Sequence, residues 1–193
     1  MNLQRVWLFC AVSLLFGVGL KVASANSAPA APIPDECRQF DFWVGEWEVT
    51  SPDGQFQGTN KIESVAGTRA LSEQWTGNPA AGNGSGRSLT AWNSEKKAWQ
   101  QFWIGSDGGV LELAGGLRGG SMILSGEHQS GGKHLLERIT WTPLSDGSVR
   151  QLWEQSADAG AKWTIVFDGR YTKAKTKLAS AGIRSRALLY LFW

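Results

Sequence analysis

From Glu46 onward, apolar and polar residues take turns in short runs, and each run is closed by Gly, Asp, Asn or Pro. A two-residue period marks a strand with one buried face, whereas a helix would repeat its apolar positions every three to four residues. The pattern predicts strands over Glu46 to Ser51, Phe56 to Val65, Thr68 to Thr76, Ser88 to Asn93 and Ala98 to Ser106. It continues with Val110 to Ala114, Ser121 to Glu127, His134 to Thr142, Ser148 to Ser156 and Lys162 to Thr172. Between them lie Pro52-Asp53-Gly54, the glycine-rich Gly77 to Gly86, Asp107-Gly108-Gly109, Gly115 to Gly120, a Ser/Gly turn, Ser145-Asp146-Gly147 and Ala159-Gly160. Asp-Gly pairs suit tight hairpins, because both residues tolerate the positive φ that such turns need.

Connections this short cannot hold a crossover helix, so neighbouring strands must run antiparallel. A meander of about ten strands hides its edges best by closing on itself. The expected fold is therefore all-β, a closed up-and-down antiparallel β-barrel, with a sandwich as the second choice. One short helical turn is expected before it, over Glu36 to Trp43, where Phe40, Trp43 and Val44 fall at helical spacing after Pro34 and Asp35. Such a segment is suited to plug one end of a barrel.

The ends of the chain differ from the middle. Met1 to Ala25 reads as a secretory signal: Asn2, Gln4 and Arg5 give a polar, basic start, Val6 to Leu20 an apolar run, and Ala23-Ser24-Ala25 the small residues of a cleavage site. The apolar run is shorter than the roughly 20 residues a spanning helix prefers, which favours cleavage over an uncleaved anchor. Asn26 to Glu36 has the small-residue and proline content of a flexible mature N-terminus, and the barrel domain is expected over Cys37 to Lys173. After it, Ala174 to Ser185 is basic and small and Leu188 to Trp193 apolar, the composition of a poorly ordered tail. The protein is thus expected in the periplasm or outside the cell.

Composition narrows the chemistry. Removal of Cys10 with the signal leaves Cys37 alone, so neither an intrachain disulfide nor a cysteine metal cluster is expected, and no histidine stands near Cys37 to activate it. A net charge of +2 over 193 residues, with no basic stripe among aromatics, argues against nucleic acid as a partner. There is no nucleophile elbow, no zincin helix motif, no phosphate loop and no dinucleotide fingerprint. His128 and His134 flank a turn and are candidates to meet across a hairpin as ligands for a metal or haem; an exposed turn is the simpler reading.

Tryptophan is the strongest signal, with 11 in the chain. Leu71 and Trp75 bracket Glu73, Trp99 and Trp103 bracket Gln101, Leu135 and Ile139 bracket Glu137, and Val149 and Trp153 bracket Gln151. Residues two apart in a strand share a face, so each row sets a polar group among apolar ones. If these rows face inward they build a small-molecule pocket with aromatic walls. The alternative is a core filled by tryptophan, with Glu73 and Glu137 in solvent. A buried carboxylate needs a partner or a raised pKa, and Arg138 or Arg150 is the expected guanidinium. The candidate ligand-binding residues are Glu73, Trp75, Trp99, Gln101, Trp103, Glu137, Arg138, Gln151 and Trp153.

Phe40-Asp41-Phe42-Trp43-Val44-Gly45-Glu46-Trp47-Glu48-Val49 resembles the opening of a bacterial family of secreted domains of unknown function, lipocalin-like or calycin-like in structure. Trp141-Thr142-Pro143, Val149 to Glu154 and Phe167 to Tyr171 are also similar to that family, so the resemblance spans about Arg38 to Lys173. Gly45-Glu46-Trp47 resembles the G-x-W of lipocalins, which implies that Trp47 closes the base of the barrel under an arginine from the last strand, by position Arg170. The opening also loosely resembles the haem-binding nitrobindins, but no histidine follows His134, and no cofactor or metal is assigned. The favoured reading is an exported barrel that binds a small apolar or aromatic molecule. An enzyme using buried carboxylates on the same barrel, and an outer-membrane or structural barrel, are the alternatives. Against membrane embedding stands the shortness of candidate strands such as Val110 to Ala114.

Overall fold

The computed structural model describes residues 32–65, 67 and 70–175. The signal segment, the stretch from Asn26 to Ala31 and all but the first residues of the expected tail lie outside these. The described chain forms β1 (Gly45–Thr50), β2 (Phe56–Val65), β3 (Ala70–Gly77), β4 (Gly86–Asn93), β5 (Ala98–Gly105), β6 (Val110–Arg118), β7 (Ser121–Ser130), β8 (Lys133–Pro143), β9 (Val149–Ser156) and β10 (Thr164–Lys173). Each strand pairs antiparallel with the next, and β10 returns to β1, closing a ten-stranded up-and-down barrel. The closing ladder runs from Trp47 opposite Lys173 to Thr50 opposite Arg170. Closure leaves no strand edge with unpaired backbone groups.

The expected elements recur within a few residues of their predicted ends, apart from β6. Gly115 to Gly120 reads as a turn, yet Gly115 to Arg118 stay paired with Ser121 to Leu124, and the reversal is made by Gly119 and Gly120 alone, at φ +55° and +83°. Gly115 serves another purpose: a Cβ there would run into the backbone of Ile123. The glycine permits close approach of two strands rather than ending one. β6 is thus longer than the sequence pattern suggests, and strand shortness no longer argues against a membrane barrel. Among the described residues, no helix is long and apolar enough to cross a membrane.

Before β1, Asp35–Arg38 and Asp41–Trp43 form short 3-10 turns that cap one end of the barrel. Phe40 and Trp43 are fully buried and stack at 4.9 Å. The Phe40 ring meets Trp99 edge-on at 5.8 Å and Trp141 at 5.2 Å, while the Trp99 indole N–H donates to Gln39 Oε1 at 3.2 Å. Burying aromatic rings of this size contributes several kcal/mol, on the order of 25 cal/mol per Å². The plug therefore locks the N-terminal turn onto β5 and β8. Cys37 is buried here as a free thiol.

Trp47 lies at the same closed end, but its cation is a different one from that implied by the lipocalin resemblance. Lys173 places its ammonium 3.7 Å from the Trp47 ring centre and donates to the Val44 carbonyl at 2.7 Å. Arg170, the expected partner, has the opposite parity on β10 and faces outward, where it pairs with Asp146 and donates to Ser148 Oγ at 3.2 Å. The function of the contact survives, since Lys173 still ties the last strand to the first. On the outer wall, Leu89 stands opposite Phe102 and Ile104 opposite Val110, all exposed.

Candidate functional site

The other end of the barrel is open. A cavity of about 410 Å³ enters between the loop Gly82 to Ser85 and the turn at Ser106 and Asp107. Its upper wall is Trp75, Trp103, Trp153 and Phe167; its floor is Glu73, Gln101, Gln151, Tyr171 and the edge of Trp141. All four polar-centred rows named from the sequence face the interior. The strand period, once inward for Trp75, is inward for Glu73 as well.

Strand-interior glycines keep this end hollow. Gly86 lies under the Trp103 ring, Gly58 under Trp75, where a Cβ would meet Cη2 at 2.7 Å, and Gly169 under Phe167, where it would meet Cζ at the same 2.7 Å. Each ring lies flat against the wall over a missing side chain instead of projecting into the lumen. Trp75 is further held by an N–H bond to the Gly84 carbonyl at 2.8 Å and an edge contact with Phe167 at 5.9 Å.

The floor is one connected polar chain. Asn60 Nδ2 donates to Glu73 Oε1 at 2.7 Å, and Ser88 Oγ donates to Glu73 Oε2 at 2.7 Å. Gln101 Nε2 donates to Ser88 Oγ at 3.4 Å and Thr90 Oγ1 at 3.0 Å. On the other side of Glu73, Asn60 Nδ2 reaches Tyr171 Oη at 3.4 Å; Tyr171 Oη donates to Gln151 Oε1 at 2.6 Å, which also accepts from Trp141 Nε1 at 3.0 Å. Burial pushes the Glu73 carboxyl above its ordinary value, opposed by the bonds from Asn60 and Ser88. Burial also raises the Tyr171 hydroxyl well above its usual range, assisted by the neighbouring Glu73.

The remaining candidates fall elsewhere. Trp99 belongs to the aromatic plug and touches no part of the cavity, because its row continues downward into the closed end. Glu137 is inward and 1% exposed but is not part of the lining. It accepts from Trp153 Nε1, and from Gln155 Nε2 at 2.8 Å, and so orients a cavity wall from behind. His128 Nδ1 lies 3.1 Å from Glu137 Oε1, an ion-pair distance when the imidazole is protonated. Burial raises the Glu137 carboxyl too, against the bonds from Trp153 and Gln155.

Arg138 does not enter the barrel. Adjacent to Glu137 in sequence, it must face the other way; it forms a pair with Glu154 at 2.9 Å and covers the Trp163 ring at 4.0 Å. Arg150 likewise pairs with Asp168 on the outside at 2.7 Å. The expected guanidinium–carboxylate contact within the barrel is therefore replaced by amide and hydroxyl donors. The two histidines also separate: His128 stands opposite Leu135 on the inner face, while His134 stands opposite Gln129 on the outer face and meets Glu127 at 3.0 Å. Among the described residues no cluster of three or more metal-ligating side chains occurs.

Sequence reading missed Asn60, Ser88, Thr90, Trp141, Phe167 and Tyr171. Asn60 carried a usable signal, since it shares its strand face with Ile62, whereas Ser88, between Gly86 and Thr90 on its face, carried none. A second cavity of about 490 Å³ adjoins the first, lined by Trp103, Asp107 to Leu111, His128 to Ser130, Trp153 and Gln155. No family model matches the chain, and no curated protein matches it.

Proposed function

We propose that this protein is an exported carrier that holds a small, largely apolar or aromatic molecule in the open half of its barrel. The observation that carries the reading is the 410 Å³ cavity with indole walls and a hydrogen-bonded polar floor, the composition of a preformed ligand site. The lipocalin-like resemblance of the opening motif and the signal-like first segment support the same reading and an extracytoplasmic location. Direct contacts to ligand are assigned to Glu73, Trp75, Gln101, Trp103, Gln151 and Trp153, with Glu137 as a support for Trp153.

Two features favour holding over reaction or membrane residence. Paired-carboxylate chemistry needs two acids set close together over one space; Glu137 does not line the cavity, and the other acid that does, Asp107, sits in the rim turn accepting from the Gly109 N–H, away from Glu73 on the floor. The outer wall carries Glu48, Lys61, Glu63, Arg138, Arg150, Glu154 and Asp168 along its strands, which a lipid-facing band would exclude. Titration of the intact protein with a neutral aromatic such as propylbenzene is expected to shift tryptophan emission, and mass spectrometry of protein from its native source to reveal a co-purifying small molecule. No emission change and no co-purifying molecule would overturn the carrier role. Amino-terminal sequencing of exported protein is expected to begin at Asn26.

A further inference from the structure

We propose that the ligand of this cavity carries a protonated amine, which is held at Glu73 and Gln101 while its apolar part lies among the indole rings. The inference rests on the carrier reading above and adds the charge of the molecule carried.

The chain as a whole is slightly basic, at +2, yet among the described residues no lysine or arginine lines either cavity. Glu73 forms the floor and Asp107 the rim, while among the described lining residues only His128, at the side cavity, is able to become positive. Arg87, whose charge reaches Glu73 most weakly of all its influences, faces outward and donates to the carbonyls of Trp75 and Gly86. A buried carboxylate with only neutral donors around it lacks the cation that such groups ordinarily require.

Hydrogen-bond direction points the same way. Ser88 must give its proton to Glu73, so it accepts from Gln101 Nε2; with Thr90 Oγ1 it takes the amide nitrogen of Gln101, itself 4% exposed, and leaves the amide oxygen bonded to neither hydroxyl. Because Gln101 lines the cavity, that oxygen is an acceptor available to whatever occupies it. Asn60 Oδ1, beside Glu73, is likewise buried and without a partner. A carboxylate and unfilled carbonyl oxygens call for a donor-only group, and an ammonium has three donors and no acceptor. The faces of Trp75, Trp103 and Trp153 add the negative ring potential that attracts a cation within about 6 Å.

The test compares isosteres on the intact protein by tryptophan emission: 2-phenylethylamine in its protonated form, propylbenzene with carbon in place of the nitrogen, and 3-phenylpropionate. The amine is expected to bind about tenfold more tightly than propylbenzene, the size of a desolvated cation–π and charge contribution. E73Q is expected to abolish that preference, and Gln101→Leu to reduce it several-fold. Propylbenzene or 3-phenylpropionate binding as well as the amine would overturn the amine inference and leave the carrier role standing. Failure of all three to bind would remove both. If E73Q does not fold, the wild-type ranking and Gln101→Leu decide the matter.

Discussion

The two ends of the barrel are built from the same residue types and behave oppositely. At the closed end Trp43, Trp47, Trp99 and Trp141 are all at most 1% exposed; the rings of Trp43, Trp99 and Trp141 pack against Phe40, and that of Trp47 against Tyr171. At the open end Trp75, Trp103 and Trp153 lie along the wall with space before them. The difference is what stands beside each ring. An indole facing another indole fills volume, whereas an indole lying over Gly86 or Gly58 lines it. Tryptophan content thus says how much aromatic surface is inside; glycine placement says where the space is left.

The comparison can be broken most directly by truncation. Trp99→Ala is expected to destabilise the fold by about 3–5 kcal/mol, as for a large aromatic removed from a close-packed core. Trp103→Ala is expected to cost about 1 kcal/mol, since one face of its ring already borders open space. Urea denaturation of both variants checks this, and equal losses would mean that the two ends are not different in kind. Gly86→Ala sharpens the contrast from the other side: its methyl group must drive the Trp103 ring into the lumen. Emission titration with propylbenzene should then show affinity reduced by about tenfold or more.

A pH experiment separates the interior from the surface. The Glu73 and Glu137 carboxyls are raised above 4.5 by burial, so the folded chain binds more protons than the unfolded one above that pH. Stability is expected to fall as pH rises from 4.5 through their folded values, and the E73Q/E137Q double variant should flatten that slope in thermal melts. Asp53, Asp146 and Asp158 are lowered from 3.8 by local hydrogen bonds, so their contribution is lost only on the acid side of that value. The two windows do not overlap. A melting temperature that rises from pH 5 to pH 8 would contradict the burial of unpaired carboxylates.

The smallest effect concerns the seam. Lys173→Met is expected to cost about 1 kcal/mol through loss of its contact with the Trp47 ring, and Arg170→Met about 0–0.5 kcal/mol as an exposed ion pair. Denaturant midpoints of the two variants distinguish the contact over the Trp47 ring from the outer ion pair.

Fold class and strand order were legible because a period of two marks the element, and the same period set Glu73, Gln101, Glu137 and Gln151 each on one face with its apolar neighbours. Which side of the sheet that face took was decided only by closure of the barrel. Depth along the barrel was not legible. Trp99 and Trp103 share a face, yet the tilt of β5 places one in the plug and the other at the mouth, and nothing in their spacing distinguishes them. Partners were also hidden. Asn60 and Ser88 reach Glu73 from β2 and β4, and Asn60 also reaches Tyr171 on β10, so the network around Glu73 joins residues as far apart as Asn60 and Tyr171. Arg138 was assigned by chemistry against its own parity, and parity prevailed.

Closure between β1 and β10 has a consequence for how the cylinder comes to exist. Every other ladder joins strands that follow one another along the chain, so each hairpin can zip locally, but Trp47 must wait for Lys173 to be delivered from the far end of the domain. Until then the sheet is a ribbon with two bare margins, sticky to its own kind. The last few residues of β10 therefore guard solubility as much as they hold the lumen shut.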